Sequence, residues 1–298
     1  MKASLALSLV SLFFTLVSFQ QKAMSKTQTR TDSIIARNVT FESAGIRLAG
    51  TIYIPQNPIA ALVLVHGSDQ VPRMTAFAEF VAENNLLVLT YDKRGVGESG
   101  GVYAGPEVGT NNISNENLTI LANDASAAVN LIHQEYQNLP IGLMGFSQAG
   151  WIIPLAANKN PLIEFMVLFS GPTITTLEQL RFQFYTNGDQ DFWKNHSEEE
   201  VRFHTFHDPD RFDFIATDPI DALSNLSIPG LWVFGEKDIQ IPVKMCMEHL
   251  NLLKAQGKPY EYVLFPELGH NTGNVASKEP ITIAIDWIKR ESSKLRER

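Results

Sequence analysis

The chain has 298 residues, of which 44% are hydrophobic and 19% charged, the balance of a globular rather than a disordered protein. A formal charge of −8 and the lack of any Lys/Arg-rich run exclude a general phosphate-backbone binder, because a nucleic-acid site needs a basic patch. The single cysteine, Cys246, excludes an internal disulfide framework.

The N-terminus opens with Lys2, an apolar stretch from Ala3 to Phe19 and polar Gln20-Gln21-Lys22. A basic start and an apolar core are the pattern of a secretory signal peptide, and Ala23-Met24-Ser25 puts small residues where a signal peptidase reads. Residues 1–25 are therefore read as a signal peptide cleaved after Ser25, and the protein as exported to a periplasm or the outside. The competing reading is an uncleaved anchor, since the run approaches the roughly 18 to 20 residues of a spanning helix. Only in that case is a membrane a partner.

A polar linker, Lys26 to Asp32, leads into a domain read as 33–298. Ile46 to Tyr53 alternates apolar and polar residues, as a half-exposed strand does. Ala60–Val65, Leu86–Tyr91, Ile141–Phe146, Phe165–Phe169, Leu231–Phe234 and Tyr260–Phe265 are continuously apolar or nearly so. Helical patterns fall near Met74–Asn84, Asn117–Tyr136, Gln148–Asn158, Val243–Gln256 and Pro280–Leu295. Short apolar runs separated by helices predict a doubly wound, mostly parallel α/β sheet covered on both faces. One stretch breaks the rhythm: about 172–228 holds more than roughly fifty residues without a strand, and such a stretch carries its own structure or a function. Ser197-Glu198-Glu199-Glu200 is a capping box inside it, so a helical cap insertion is expected. Its aromatic residues, among them Phe182, Phe192 and Trp193, are read as insertion core, with a few lining an acyl pocket as the alternative.

The chemistry concentrates at strand ends. Gly145-Phe146-Ser147-Gln148-Ala149-Gly150 follows a predicted buried strand and precedes a helix, where a sharp turn would hold Ser147 Oγ clear of the strand. The usual pattern is Gly-x-Ser-x-Gly, and Ala149 departs from it by one methyl. A catalytic triad on such a sheet runs in the order Ser, acid, His. Asp238, in Phe234-Gly235-Glu236-Lys237-Asp238, and His270, in Leu268-Gly269-His270, follow two later strands in that order. Leu64-Val65-His66-Gly67-Ser68 ends another strand in a glycine turn, suited to give one oxyanion N–H from Ser68 with a second from Gln148.

With Asp92-Lys93-Arg94-Gly95-Val96-Gly97-Glu98-Ser99 beside them, these motifs resemble the α/β-hydrolase superfamily in order and approximate spacing, from about Phe41 to the C-terminus. Within it the chain is most similar to esterases and dienelactone-hydrolase-like proteins, which share an opening like Phe41 to Pro55. The resemblance implies a serine hydrolase with Ser147, His270 and Asp238 as its triad, favours Asp238 over nearby Glu236, and gives the Asp92–Ser99 loop a structural role.

Other features carry blander readings. The literal Gly-x-Gly-x-x-Gly at Gly95, Gly97 and Gly100 runs into Gly101-Val102-Tyr103-Ala104-Gly105-Pro106, which cannot open the helix a dinucleotide site requires. His196, His204, His207, Asp208, Asp210 and Asp213 read as surface polar residues rather than a zinc site. Cys246 reads as a buried apolar residue of a helix. The expectation is an enzyme without cofactor or metal, acting on a small-molecule carboxylic ester or related acyl compound through an acyl-serine. Peptidase, thioesterase, lactonase and acyltransferase readings use the same machinery, and a non-catalytic binding protein on the same fold is the rival of another class.

Overall fold

The apolar runs become strands of a single sheet. In the computed structural model, which describes residues 34–102, 116–211 and 216–297, the strands are β1 Ile35–Ser43, β2 Ile46–Ile54, β3 Ala60–Val65, β4 Leu86–Tyr91, β5 Ile141–Phe146, β6 Phe165–Phe169, β7 Gly230–Gly235 and β8 Tyr260–Phe265. Their spatial order is β1-β2-β4-β3-β5-β6-β7-β8. β1 and β2 pair antiparallel, β2 runs antiparallel to β4, and every pair from β4 through β8 is parallel. Residues 1–33, with the expected signal segment, lie outside the described residues.

β1 is the element the sequence reading did not assign. Ile-Ala-Arg-Asn-Val-Thr-Phe-Glu-Ser is largely exposed and has no continuous apolar run, because it is an edge strand whose only sheet partner is β2. Ala44 and Gly45, at φ 49° and 74°, supply the left-handed turn between the two.

The helices are α1 Thr75–Ala82, α2 Glu116–Glu135, α3 Ala149–Lys159, α4 Thr176–Thr186, α5 Phe192–Asn195, α6 Glu198–His207, α7 Pro219–Asn225, α8 Val243–Ala255 and α9 Glu279–Arg296. Successive strand side chains point to opposite faces, so each central strand feeds two cores. Val63, Leu89, Leu143 and Leu168 pack with α2, α3 and α8 on one face. Leu62, Val88, Met144 and Val167 pack with α1 and α9 on the other. This two-sided burial is why these strands read as continuous apolar runs.

α4 to α7 fill the stretch between β6 and β7. α4 and α6 each open on a capping box, Thr175 with Glu178 and Ser197 with Glu200. Asn187 ends α4 in a left-handed conformation at φ 47°. A small core of their own, Phe182, Phe192 and Val201, binds α4, α5 and α6 together, while Leu223 of α7 joins the main core.

The register places the functional loops. Val65 pairs with Gly145, Phe146 with Phe169, Phe169 with Val233, and Gly235 with Phe265. The residues that follow β3, β5, β7 and β8 therefore emerge along one edge. β3 and β5 are neighbours from which the chain departs in opposite directions, the switch point at which ligands bind in open α/β sheets.

Candidate active site

Ser147 lies between β5 and α3 at φ 49°, a conformation non-glycine residues seldom adopt. Its N–H bonds Phe169 O at 2.9 Å, fixing the turn to the next strand. Gly145 is required by the return of the chain: a Cβ there would lie 2.4 Å from Ala149 Cβ. The departure from Gly-x-Ser-x-Gly is thereby explained. The methyl of Ala149 fills space that Gly145 leaves open. Strict smallness falls instead on Gly150, where a Cβ would lie 2.5 Å from Pro172 Cδ and 2.6 Å from its nitrogen.

Three of the sequence-predicted residues come together in a chain of hydrogen bonds. Ser147 Oγ is 2.9 Å from His270 Nε2. His270 Nδ1 is 2.8 Å from Asp238 Oδ2, so Nδ1–H donates to the carboxylate and Nε2 is left to accept from the serine. Asp238 is fully buried, and its Oδ1 accepts the N–H groups of Gln240 at 2.7 Å and Ile241 at 3.0 Å. Glu236 is exposed and takes no part. The histidine loop is anchored from behind by Ser170, whose Oγ donates to His270 O at 2.5 Å, and by Thr272, whose Oγ1 donates to Val233 O at 3.1 Å.

The turn after β3 lies against the serine. A Cβ on Gly67 would lie 3.6 Å from Ser147 Cβ. Ser68 follows it directly, and Gln148 is the N-cap of α3, where N–H groups have no intrahelical acceptor. His66 is buried, and its Nε2–H donates to Tyr91 O at 2.5 Å. Burial pulls its imidazole down to about 4, with the Lys93 cation adding to the effect against the opposing Tyr91 bond.

A cavity of about 620 Å³ opens over these residues. Its apolar wall is Val71, Met74, Phe77, Phe146 and Phe169, and Gln240, Asn271 and Asn274 give polar edges. Among the described residues none of its lining comes from the helical insertion, and Phe212 and Phe214 lie outside the described residues. Phe182 and Phe192 are core of the insertion, and Phe203 and Phe206 face solvent. Met74 and Phe77 escaped the sequence reading because they belong to an ordinary amphipathic helix start.

The insertion acts elsewhere. Trp193 Nε1 donates to Asp238 O at 2.7 Å, Thr186 Oγ1 to Ile239 O at 2.7 Å, and Gln179 Nε2 to Gln240 O at 2.8 Å. Three successive carbonyls of the acid loop are thus held by α4 and α5.

The Asp92–Ser99 loop is a closed network. Burial opposes ionisation of Asp92, yet bonds from the Arg73 side chain and N–H and from the Glu98 N–H outweigh it and hold the carboxyl below its ordinary value. A Cβ on Gly97 would strike that carboxylate at 2.7 Å. Arg94 pairs with Asp124 of α2. The glycine pattern here serves the loop's own turns. In the insertion, His196 Nδ1 is 2.8 Å from Tyr185 Oη, His204 Nδ1 is 2.9 Å from Asp208, and Arg181 binds Asp210 at 2.8 Å. His207 Nδ1–H donates to Phe203 O at 2.8 Å, and Asp213 lies outside the described residues. Cys246 is buried, and burial pushes its thiol up to about 12.

Residues 56–220 match the family described as serine aminopeptidase, S33, a span that includes Ser68 and Ser147 and ends before Asp238. The sequence matches no curated protein. Among solved structures, an esterase of Pyrococcus furiosus superposes with a TM-score of 0.65 at 18% identity, over 87% of this chain and 92% of that one. The α/β-hydrolase GrgF of a Penicillium species gives 0.60 at 16% identity, over 87% and 99% of the two chains. An acylaminoacyl peptidase of Pyrococcus horikoshii gives 0.63 at 14% identity, over 87% of this chain and 42% of that longer one.

Proposed function

Because this chain belongs to the serine aminopeptidase S33 family and has the α/β-hydrolase fold, we propose that it is a serine hydrolase cleaving a carboxylic ester or related acyl bond through an acyl-serine. The observation that carries this reading is the continuous relay from Ser147 Oγ through His270 to Asp238, at 2.9 Å and 2.8 Å.

In this mechanism His270 Nε2 takes the Ser147 proton as Oγ attacks the substrate carbonyl, then returns it to the leaving group. Asp238 keeps the histidine in the tautomer with Nδ1 protonated and stabilises the imidazolium. The tetrahedral oxyanion binds the Ser68 and Gln148 N–H groups, each worth about 3 to 4 kcal/mol in comparable sites. Water, deprotonated by His270, then releases the acyl group. The apolar wall of Met74, Phe77 and Phe146 receives the acyl chain.

Ser147→Ala, with its fold verified by circular dichroism, is expected to lower kcat on a p-nitrophenyl ester on the order of 10⁴-fold or more. Turnover at the unsubstituted rate would overturn the assignment, and failure of the native protein to label with a fluorophosphonate would favour a binding protein instead. An amide-cleaving reading is favoured by the family match and by the acylaminoacyl peptidase likeness. Parallel assays on acyl esters and on aminoacyl or acylaminoacyl amides decide between the two bonds.

The chain is further proposed to be exported after cleavage at Ser25, on the pattern of Lys2 to Phe19 and Ala23-Met24-Ser25. N-terminal sequencing of the secreted protein is expected to begin at Lys26; an N-terminus at Met1 on membrane-bound protein would favour the anchor.

A further inference from the structure

Lys93 is the one buried cation beside the cavity that this mechanism leaves without a role among the described residues. Its side chain arises in the loop after β4 and is 1% exposed. Its Nζ donates to Gly67 O at 2.7 Å, to Ser68 O at 3.1 Å and, more weakly, to Gln148 Oε1 at 3.4 Å. Its chain neighbours are committed to other work, Asp92 to Arg73 and Arg94 to Asp124.

Gly67 O and Ser68 N–H are the two ends of one peptide group. No cis peptide occurs among the described residues, so the two ends point in opposite directions from a rigid plane. A donor that fixes the oxygen therefore fixes the direction of the N–H. The same holds for Ser68 O and Asp69 N–H. Lys93 grips both planes from the side away from their N–H groups. It also tethers the side chain of Gln148, whose own N–H is the second oxyanion donor.

Charge-assisted bonds of this kind are stronger than neutral ones. A cation on a carbonyl oxygen also polarises the peptide and makes its N–H a better donor. Holding an ammonium here is costly: burial pulls Lys93 down to about 8, and the Asp69 charge offsets that only in part. An apolar residue of the same length would avoid that cost but would strip the Gly67 and Ser68 carbonyls of this donor.

We propose that Lys93 is a positioning residue of the oxyanion hole, holding the Gly67–Ser68 and Ser68–Asp69 peptide groups by their carbonyl ends and Gln148 by its side chain. The proposal rests on the serine-hydrolase reading, and its test separates the two.

Lys93→Met, Lys93→Gln and Ser147→Ala are compared with the native protein by circular dichroism, by steady-state kinetics on p-nitrophenyl acetate and by affinity for phenylboronic acid, which forms a tetrahedral adduct on an active serine. Lys93→Met is expected to lower kcat by about 10- to 100-fold with KM changed less than about threefold, the signature of a group that acts on the tetrahedral state. Boronate affinity falls in parallel. A variant that merely loosens the fold would lower the active fraction and leave KM and boronate affinity per active site unchanged. Lys93→Gln keeps one donor for Gly67 O and is expected to lose less, about fivefold in kcat. Should Lys93→Met fail to fold, Lys93→Gln decides by the same readouts. Native kcat and boronate affinity in a folded Lys93 variant overturn the proposal while Ser147→Ala remains inactive. A fully active Ser147→Ala overturns the serine reading itself and the role of Lys93 with it.

Discussion

At the scale of single residues, the site depends on atoms that are absent as much as on those present. Gly145 keeps the first glycine of the pattern, Ala149 fills the space beside it, and the strict smallness passes to Gly150. Gly150→Ala would drive a methyl into Pro172 and is expected to cost about 1 to 3 kcal/mol by chemical denaturation. Ala149→Gly removes a fully buried methyl at the first residue of α3 and is expected to cost about 1 kcal/mol while leaving kcat unaltered. His66 gives a titration of known sign. Its imidazole is held near 4 in the fold against 6.5 in a free chain, so the unfolded state binds more protons between those values. Stability therefore falls as pH drops from about 6.5 to 4, by about 3 kcal/mol at most from this group. His66→Gln is expected to flatten that part of the pH–stability curve. Serine, acid and histidine were legible in the sequence because each follows a strand and their chain order is constrained. Lys93 was not, because a lysine between Asp92 and Arg94 reads as an ordinary charged loop, and only the folded chain shows that its amine turns inward.

At the scale of elements, the insertion was legible as helices but not by what it touches. Ser197 and Glu200 form the capping box their spacing announces, since a cap is a local interaction. The three bonds from α4 and α5 to the acid loop span 45 to 61 residues of chain, and nothing local encodes them. They make the insertion a brace for Asp238. Trp193→Phe keeps a ring against Phe182 and Phe192 but removes the donor to Asp238 O. It is expected to lower kcat several-fold with KM little changed, and stability by about 1 kcal/mol. Unaltered kinetics would show the acid loop to be rigid without it. β1 stayed hidden for the opposite reason: a sheet-edge strand exposed along most of its length leaves no apolar run to read.

At the scale of the whole molecule, the parallel sheet was legible because burial on both faces writes unbroken apolar strands into the sequence. The strand order was not, since β4 and β5 flank β3 through contacts that periodicity does not specify. The fold as a whole also titrates. Lys93, lowered by burial to about 8 from 10.5, makes the unfolded chain the better proton binder between those values, so stability rises with pH across that window. Tyr91 and Tyr260, whose phenols burial pushes up from 10.0, act against it above about pH 10, where only the unfolded chain ionises. The Cys246 thiol, raised by burial from 9.0 to about 12, acts in the same destabilising direction from about pH 9, so melting temperature is expected to climb slightly from pH 8 toward 9, level off, and fall above 10. The cavity wall carries a last consequence. Met74 and Phe77 sit where α1 begins, on a short element far in sequence from the serine, acid and histidine. Directed evolution of substrate range therefore has a compact target: a library at these two positions varies the cavity wall while the relay and its brace stay intact, whereas randomising α4 and α5 would disturb the loop that holds Asp238.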